Sequence, residues 1–320
     1  MITFEMTVML QIQSGLSAVL CVVVASILWG TTGTASAFIP DVSPLGIGAF
    51  AMGVGGILLV LNAKKHLVSD KVKLLSQPKV LLIGSICVSI YPLAFYSSMR
   101  LAGVAIGTVI SIASAPFFTV MMERLISNKH ITRRWKISFA FGTAGVVLLT
   151  LGKMQYLDIN ATSSNQVLGV LLGLIAGLTY ATYSWSARQM IENGVNAKSA
   201  MASMFGLSAI LLLPSLLFTS DNLFLDIKHI SVSLYMAIAP MFLGYLLFGQ
   251  ALKAIEASRA TLITLLEPIV ATILAIIIIG EAFSPIGWLG MGLMVICLLL
   301  QVIKIPKPKV SPESHRLPIS

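Results

Sequence analysis

The sequence predicts an all-α polytopic membrane protein with ten transmembrane helices, arranged as two inverted five-helix repeats. Three observations carry that prediction. Of 320 residues, 57% are hydrophobic and only 10% are charged, whereas about a quarter of a soluble domain is charged. The apolar residues gather into ten runs, each near the ~20 residues that a membrane-spanning helix needs. The second five runs also repeat features of the first five.

The first run, 17–38, follows a segment (1–16) with Glu5 and no Lys or Arg. That is the wrong charge for the start of a signal peptide, despite the A-x-A-like "TASAF" at 34–38, so the run is kept as a helix and 1–16 as a cytoplasmic segment. Runs follow at 44–62, 79–99, 103–123 and 137–152, and together with the first they define a repeat over 17–153. A polar stretch, 154–165, is read as an outer linker, and its "NAT" (160–162) as a chance match to a glycosylation acceptor. Runs at 167–188, 199–218, 232–252, 259–279 and 285–303 make the second repeat, 166–304. The proline-rich polar tail, 305–320, is read as disordered and cytoplasmic.

The net charge of +9 is not a nucleic-acid signature, because its distribution follows the membrane. With the N-terminus inside, 18 of the 21 Lys and Arg residues fall in inner loops, and Arg100, Lys153 and Lys228 alone fall outside. This positive-inside pattern predicts a cell (inner or plasma) membrane protein with both termini cytoplasmic. Cys21, Cys87 and Cys297 all lie within runs at unpaired spacings, which predicts neither a disulfide nor a metal site.

The repeat is legible in residues. "PLAFYSSMRLAGVAIGTVISIASAP" (92–116) aligns with "YLLFGQALKAIEASRATLITLLEP" (245–268), pairing Phe95 with Phe248, Thr108 with Thr261, Ser111 with Thr264 and Pro116 with Pro268. "ILWGTT" (27–32) aligns with "LTYATY" (178–183), pairing Trp29 with Tyr180. An odd number of spans per repeat forces opposite orientations in the membrane, the architecture of alternating-access transporters.

These halves, with "SILWGTTGTASAF" in the first run and "ATLITLLEPIVATILAIIIIGE" in the ninth, resemble the EamA family of the drug/metabolite transporter superfamily. The resemblance covers nearly the whole chain. It implies a secondary transporter of small metabolites, described for the family mostly as export of amino acids, amines or drugs. It further implies that the first, third, fourth, sixth, eighth and ninth helices surround the cavity, with the fifth and tenth peripheral. The first repeat has "SNK" (127–129) in place of the terminal Gly-Glu, so Glu281 alone could supply that glutamate.

Glu267 is the one acid in the hydrophobic middle of a run, and an intramembrane carboxylate is a candidate for ion or substrate binding. Pro268 and Pro116 each remove a helical N–H donor, which frees the carbonyls of Thr264 and Ile112 and marks both prolines as candidate helix breaks. Glu267 could then bind a proton or an ammonium group beside Thr264. Trp29, Tyr180 and Tyr183 lie too deep for an interfacial belt and suit the wall of a pocket for amphiphilic solutes. Ser111 and Ser114 would add hydroxyls, while the stripe of Gly169, Gly173 and Gly177, like Gly103 and Gly107, reads as close helix packing. Arg100 and Tyr96, near the outer end of the third run, are gate candidates, and Tyr91, Tyr245 and Gln250 are lesser ones.

No G-x-x-x-x-G-K-[ST] loop is present, and His66, His130, His229 and His315 all lie outside the runs. ATP as a direct energy source, catalytic residues, a metal and a cofactor are therefore not expected. The expected partners are the lipid bilayer and a small-molecule solute, with protons as a candidate coupling ion. The reading is an exporter working by alternating access; an importer of the same fold, or a membrane enzyme or sensor scaffold, are the alternatives.

Overall fold

A computed structural model describes residues 2–102, 104–154, 164–280 and 284–302. Glu281, Gly103, the "NAT" acceptor and the tail at 305–320 lie outside them. Among the described residues nine helices are long and apolar enough to cross a membrane: α1 Gly15–Ser36, α2 Pro44–Ser69, α3 Pro78–Ala102, α4 Ile106–Leu125, α5 Arg133–Gly152, α6 Asn165–Glu192, α7 Ala197–Thr219, α8 Ile227–Ala251 and α9 Ala257–Ile278. A shorter apolar helix, α10 Pro285–Gln301, completes the ten.

The spans follow the ten runs of the sequence, and they overshoot where a helix leaves the apolar layer without a reason to stop. α2 thus continues past Lys64 and Lys65 to Ser69. The N-terminal segment is not a separate element in its described part, because one helix runs unbroken from Ile2 to Gly30. Outward-facing Leu, Ile and Phe side chains, such as Leu217 and Phe218 at 83% and 86% exposure, give the bundle the surface that a hydrocarbon solvent requires.

The two halves interlock. α2 packs along α7 and α5 along α10, each element on its own repeat partner. α6, from the second half, packs against α3 and α4, and α1, from the first, packs against α8 and α9. These crossed contacts place α1 and α6 side by side with the other half's helices, at the centre of the molecule.

The two prolines behave differently from each other. Pro116 lies within a single helix, Val104–Leu125, which it does not break. α9 does break, at Thr264 and Leu265, between Ala257–Ile263 and Leu266–Leu274. Pro268 falls in the first turn of the second segment, where its missing N–H has no helical partner to lose. The Thr264 carbonyl is not free, since it accepts the Glu267 N–H at 2.9 Å. The break has closed on itself as a tight turn.

The end carrying the basic loops is tied across the halves. Lys129, in the α4–α5 connection, reaches Glu192 at 2.6 Å and Glu256 at 2.5 Å, and Arg188 reaches Glu192 at 2.9 Å. Arg188 also donates to the Leu252 carbonyl at 2.5 Å. Burial lowers the proton affinity of Lys129, but its bonds to the two glutamates outweigh that and hold its ammonium above the ordinary lysine range. Nearby, Asp70 accepts the Asn196 N–H at 2.9 Å and the Ser199 hydroxyl at 2.8 Å. Burial opposes its charge, yet these donors and Lys73 prevail and hold its carboxyl below the usual aspartate range. At the opposite end, His229 bridges Asp226 at 2.8 Å and Asp41 at 3.1 Å, which again joins the halves.

Candidate functional site

A narrow cleft, of about 40 Å³, runs from the middle of the bundle toward the end opposite the basic loops. α1 contributes Trp29 and Thr32, α3 contributes Tyr91 and Tyr96, α6 contributes Tyr180 and Tyr183, and α9 contributes Glu267. α8 adds Tyr245 and Met241, and α2 adds Gly48 and Met52. The fourth helix was expected here and α2 takes its place, because α4 is turned toward α6 and α9.

Each wall residue is held by a local cause. Pro240 lacks an N–H and would crowd the preceding turn of an α-helix. α8 widens there into a π-helix, Ala237–Gly244, a form often met at functional sites. The Trp29 indole N–H donates to the Pro240 carbonyl at 2.8 Å, which fixes the ring across the α1–α8 contact. Tyr245 packs against it at a tilt, with ring centroids 4.9 Å apart. The Tyr183 and Tyr245 hydroxyls are bonded at 2.9 Å. Tyr180 donates to the Thr264 hydroxyl at 3.1 Å, and Thr264 in turn donates to the Thr261 carbonyl at 2.7 Å. Tyr183, Tyr245, Phe205 and Phe248 are all but fully buried and form a floor between the cleft and the basic end.

Two glycines make room for this arrangement. A Cβ on Gly30 would lie 2.6 Å from Val270 Cβ and 2.9 Å from the Glu267 carbonyl, so only glycine lets α1 approach α9 at the acid's own level. Gly48 leaves space that the Tyr96 ring occupies.

Glu267 lies deep in the bundle, and the part of its side chain that stays uncovered faces the cleft. Among the described residues, no side chain or backbone group gives its carboxylate a hydrogen bond or an ion pair. Tyr91, Tyr96, Tyr180 and Tyr245 line the same cleft as Glu267. Among the described residues, no Lys or Arg lines the cleft. The result is a carboxylate without a counter-charge inside an aromatic box. Such a box attracts cations, at about 0.5–2 kcal/mol for each well-placed ring.

Of the residues singled out by sequence, Glu267, Trp29, Tyr180, Tyr183, Tyr96, Tyr91 and Tyr245 come together in the cleft, whereas Thr264, Ser111, Ser114, Arg100 and Gln250 do not line it. Thr264 stands behind Tyr180, fully buried. Ser111 bonds the Gly107 carbonyl of its own helix at 2.7 Å, and Ser114 packs against Gly177 of α6. Both belong to the α4–α6 contact, where small residues allow close approach. Arg100 is exposed at the end of its helix, away from the lining. Sequence reasoning missed Met52, Pro92, Met241 and the part played by Pro240. The available signal was a proline in the middle of the third span and another in the eighth.

The EamA-like transporter family profile matches this chain twice, over residues 16–151 and again over 167–303. A Bacillus subtilis protein named as the uncharacterized transporter YwfM is 33% identical over 302 residues, covering 92% of this chain and 97% of its own. An uncharacterized transporter of Archaeoglobus fulgidus is 22% identical, over 86% of this chain and 95% of its own. A solved crystal structure superposes with a TM-score of 0.73 at 18% identity, over 89% of this chain and 96% of that one, which bears on the fold alone.

Proposed function

The chain belongs to the EamA-like transporter family, and from that premise we propose that it exports small organic cations, amines or cationic drugs, in exchange for protons. It is a multi-pass membrane transporter of small solutes rather than an enzyme. The observation that carries the finer reading is Glu267, an acid without a counter-charge among aromatic rings.

The exchange follows from the chemistry of one carboxylate. It holds a proton or an ammonium group, and not both. Bare and charged, it is costly to seal into an occluded bundle, so the empty carrier crosses slowly. Each crossing then carries one partner or the other, and an inward proton gradient drives the cation out. An amino acid fits less well, because its carboxylate would meet Glu267 with no Lys or Arg among the described lining residues to receive it.

The repeats at 17–153 and 166–304 rock about the cleft in this account, with the protein in the inner membrane and the basic loops cytoplasmic. The conformation described is then the one facing outward, shut on the cytoplasmic side by the aromatic floor and the Lys129 ion pairs. Single cysteines in the 64–79 and 128–136 loops should react with an impermeant thiol reagent only from the cytoplasmic side. Labelling of those sites on intact cells would refute the orientation.

Reconstituted vesicles test the function. Vesicles loaded with an aromatic monoamine should release it when an inward proton gradient is imposed, and should take up protons as they do so. Release that ignores the proton gradient would contradict the exchange, and preferential release of a neutral amino acid would contradict the substrate class.

A further inference from the structure

A second cavity, of about 480 Å³, opens at the basic end between α4, α5, α9 and the end of α10. Its charged lining is Glu123, Lys129, Arg134, Glu256 and Arg259, with His130 beside them. Most of these groups already have partners. Lys129 is bound by Glu192 and Glu256, and Glu256 also meets Arg188 at 3.6 Å. Glu123 accepts the Ser258 N–H at 3.1 Å.

The two arginines are different. Among the described residues neither has an acidic partner. Arg259 donates to the Gln301 carbonyl, a neutral acceptor. Among the described residues, the buried Nε of Arg134 has no hydrogen-bond partner. The charge of Arg134 also acts directly on Arg259, so two like charges are held in one partly desolvated cavity. An arrangement of that kind is unfavourable unless an anion joins it. Guanidinium groups match the oxygens of a phosphate, which accept paired N–H donors.

We propose that Arg134 and Arg259 form a binding site for a phosphate-bearing anion at the basic end of the bundle, distinct from the Glu267 cleft. Two sources share that chemistry, the headgroup of an acidic phospholipid and a free phosphate. The surroundings suit a lipid. Trp135 lies against the cavity and stacks on Phe139, with ring centroids 5.0 Å apart. Phe117, Leu125 and Ile137 on the same helices are exposed and would meet acyl chains. Basic pockets between helices at the inner face of a membrane are suited to such headgroups.

Native mass spectrometry of the full chain in detergent separates the outcomes, with phosphatidylglycerol, phosphatidylcholine and inorganic phosphate added in separate arms. The wild type should retain about fivefold more phosphatidylglycerol than a variant with Arg134→Met and Arg259→Met, with no such difference for phosphatidylcholine. Arg134→Lys keeps the charge and the fold but loses the planar fork, and should fall between them. If inorganic phosphate alone distinguishes wild type from variant, the site stands and its occupant is the free anion. If neither anion distinguishes wild type from the Lys and Met variants, the site does not exist.

Discussion

Replacing Glu267 by glutamine will lower proton-driven export of a monoamine about a hundredfold, with the protein still folded and inserted. The magnitude follows from removing one charge-assisted contact in a dry site, about 2–3 kcal/mol, at 1.4 kcal/mol for each factor of ten. Glutamine keeps the size of the side chain and is cheaper than a carboxylate to hold in hydrocarbon. Expression and thermal stability in detergent should therefore be unchanged or improved. Glu267→Asp keeps the charge and withdraws it by one methylene, so it should retain exchange at a reduced rate. Flux at the wild-type rate in Glu267→Gln would make the acid structural and leave the substrate reading without support.

Lys129→Ala will shift the molecule away from the conformation described here, toward one open at the basic end. Lys129 bonds both Glu192 and Glu256, and Arg188 alone remains to hold them when it is removed. The pairs are partly exposed, with 26% to 43% of the Lys129, Glu192 and Glu256 side chains accessible. Their combined contribution is thus modest, about 1–2 kcal/mol, which moves a two-state equilibrium by about tenfold. Spin labels at the exposed positions Ile126 and Lys253, one from each half, report the change. Wild type should give one short distance and Lys129→Ala a second, longer one. An unchanged distribution would show that the aromatic floor of Tyr183, Tyr245, Phe205 and Phe248 closes this end without the ion pairs.

The fold was legible in the sequence because a bilayer imposes a one-dimensional rule. Each run of apolar residues had to become a spanning helix, and the alternation of Lys and Arg between loops kept count of the crossings. Glu267 was legible for the same reason, as an acid where hydrocarbon allows none without cause. The walls of the cleft were less so. Trp29, Tyr180 and Tyr183 stood out because large polar-edged rings are unusual at that depth, and all three line the cleft.

Ser111 and Ser114 were misplaced because the repeat aligns α4 with α9, while the structure gives the two helices different neighbours. α9 faces the cleft through Glu267, and α4 faces the glycines of α6. Symmetry of sequence did not carry over into symmetry of the site. Pro268 was read as freeing a carbonyl, but a proline in the first turn of a helix frees nothing, and the Glu267 N–H reached back to Thr264 instead. The π-helix at Pro240 was signalled only by a proline inside the eighth span, and the Trp29 indole that bonds its carbonyl lies 211 residues away along the chain.

In the proposed exchange, one carboxylate holds a proton and an organic cation in turn. Proton release on binding measures it directly. Purified protein in a weakly buffered solution is mixed with a saturating aromatic monoamine, from about pH 5 to about pH 9, and the displaced protons are counted against the cations bound. The account predicts a range of pH in which each cation displaces close to one proton, and no displacement in Glu267→Gln. Cation binding without proton release at any pH, or the same release from Glu267→Gln as from wild type, would contradict it.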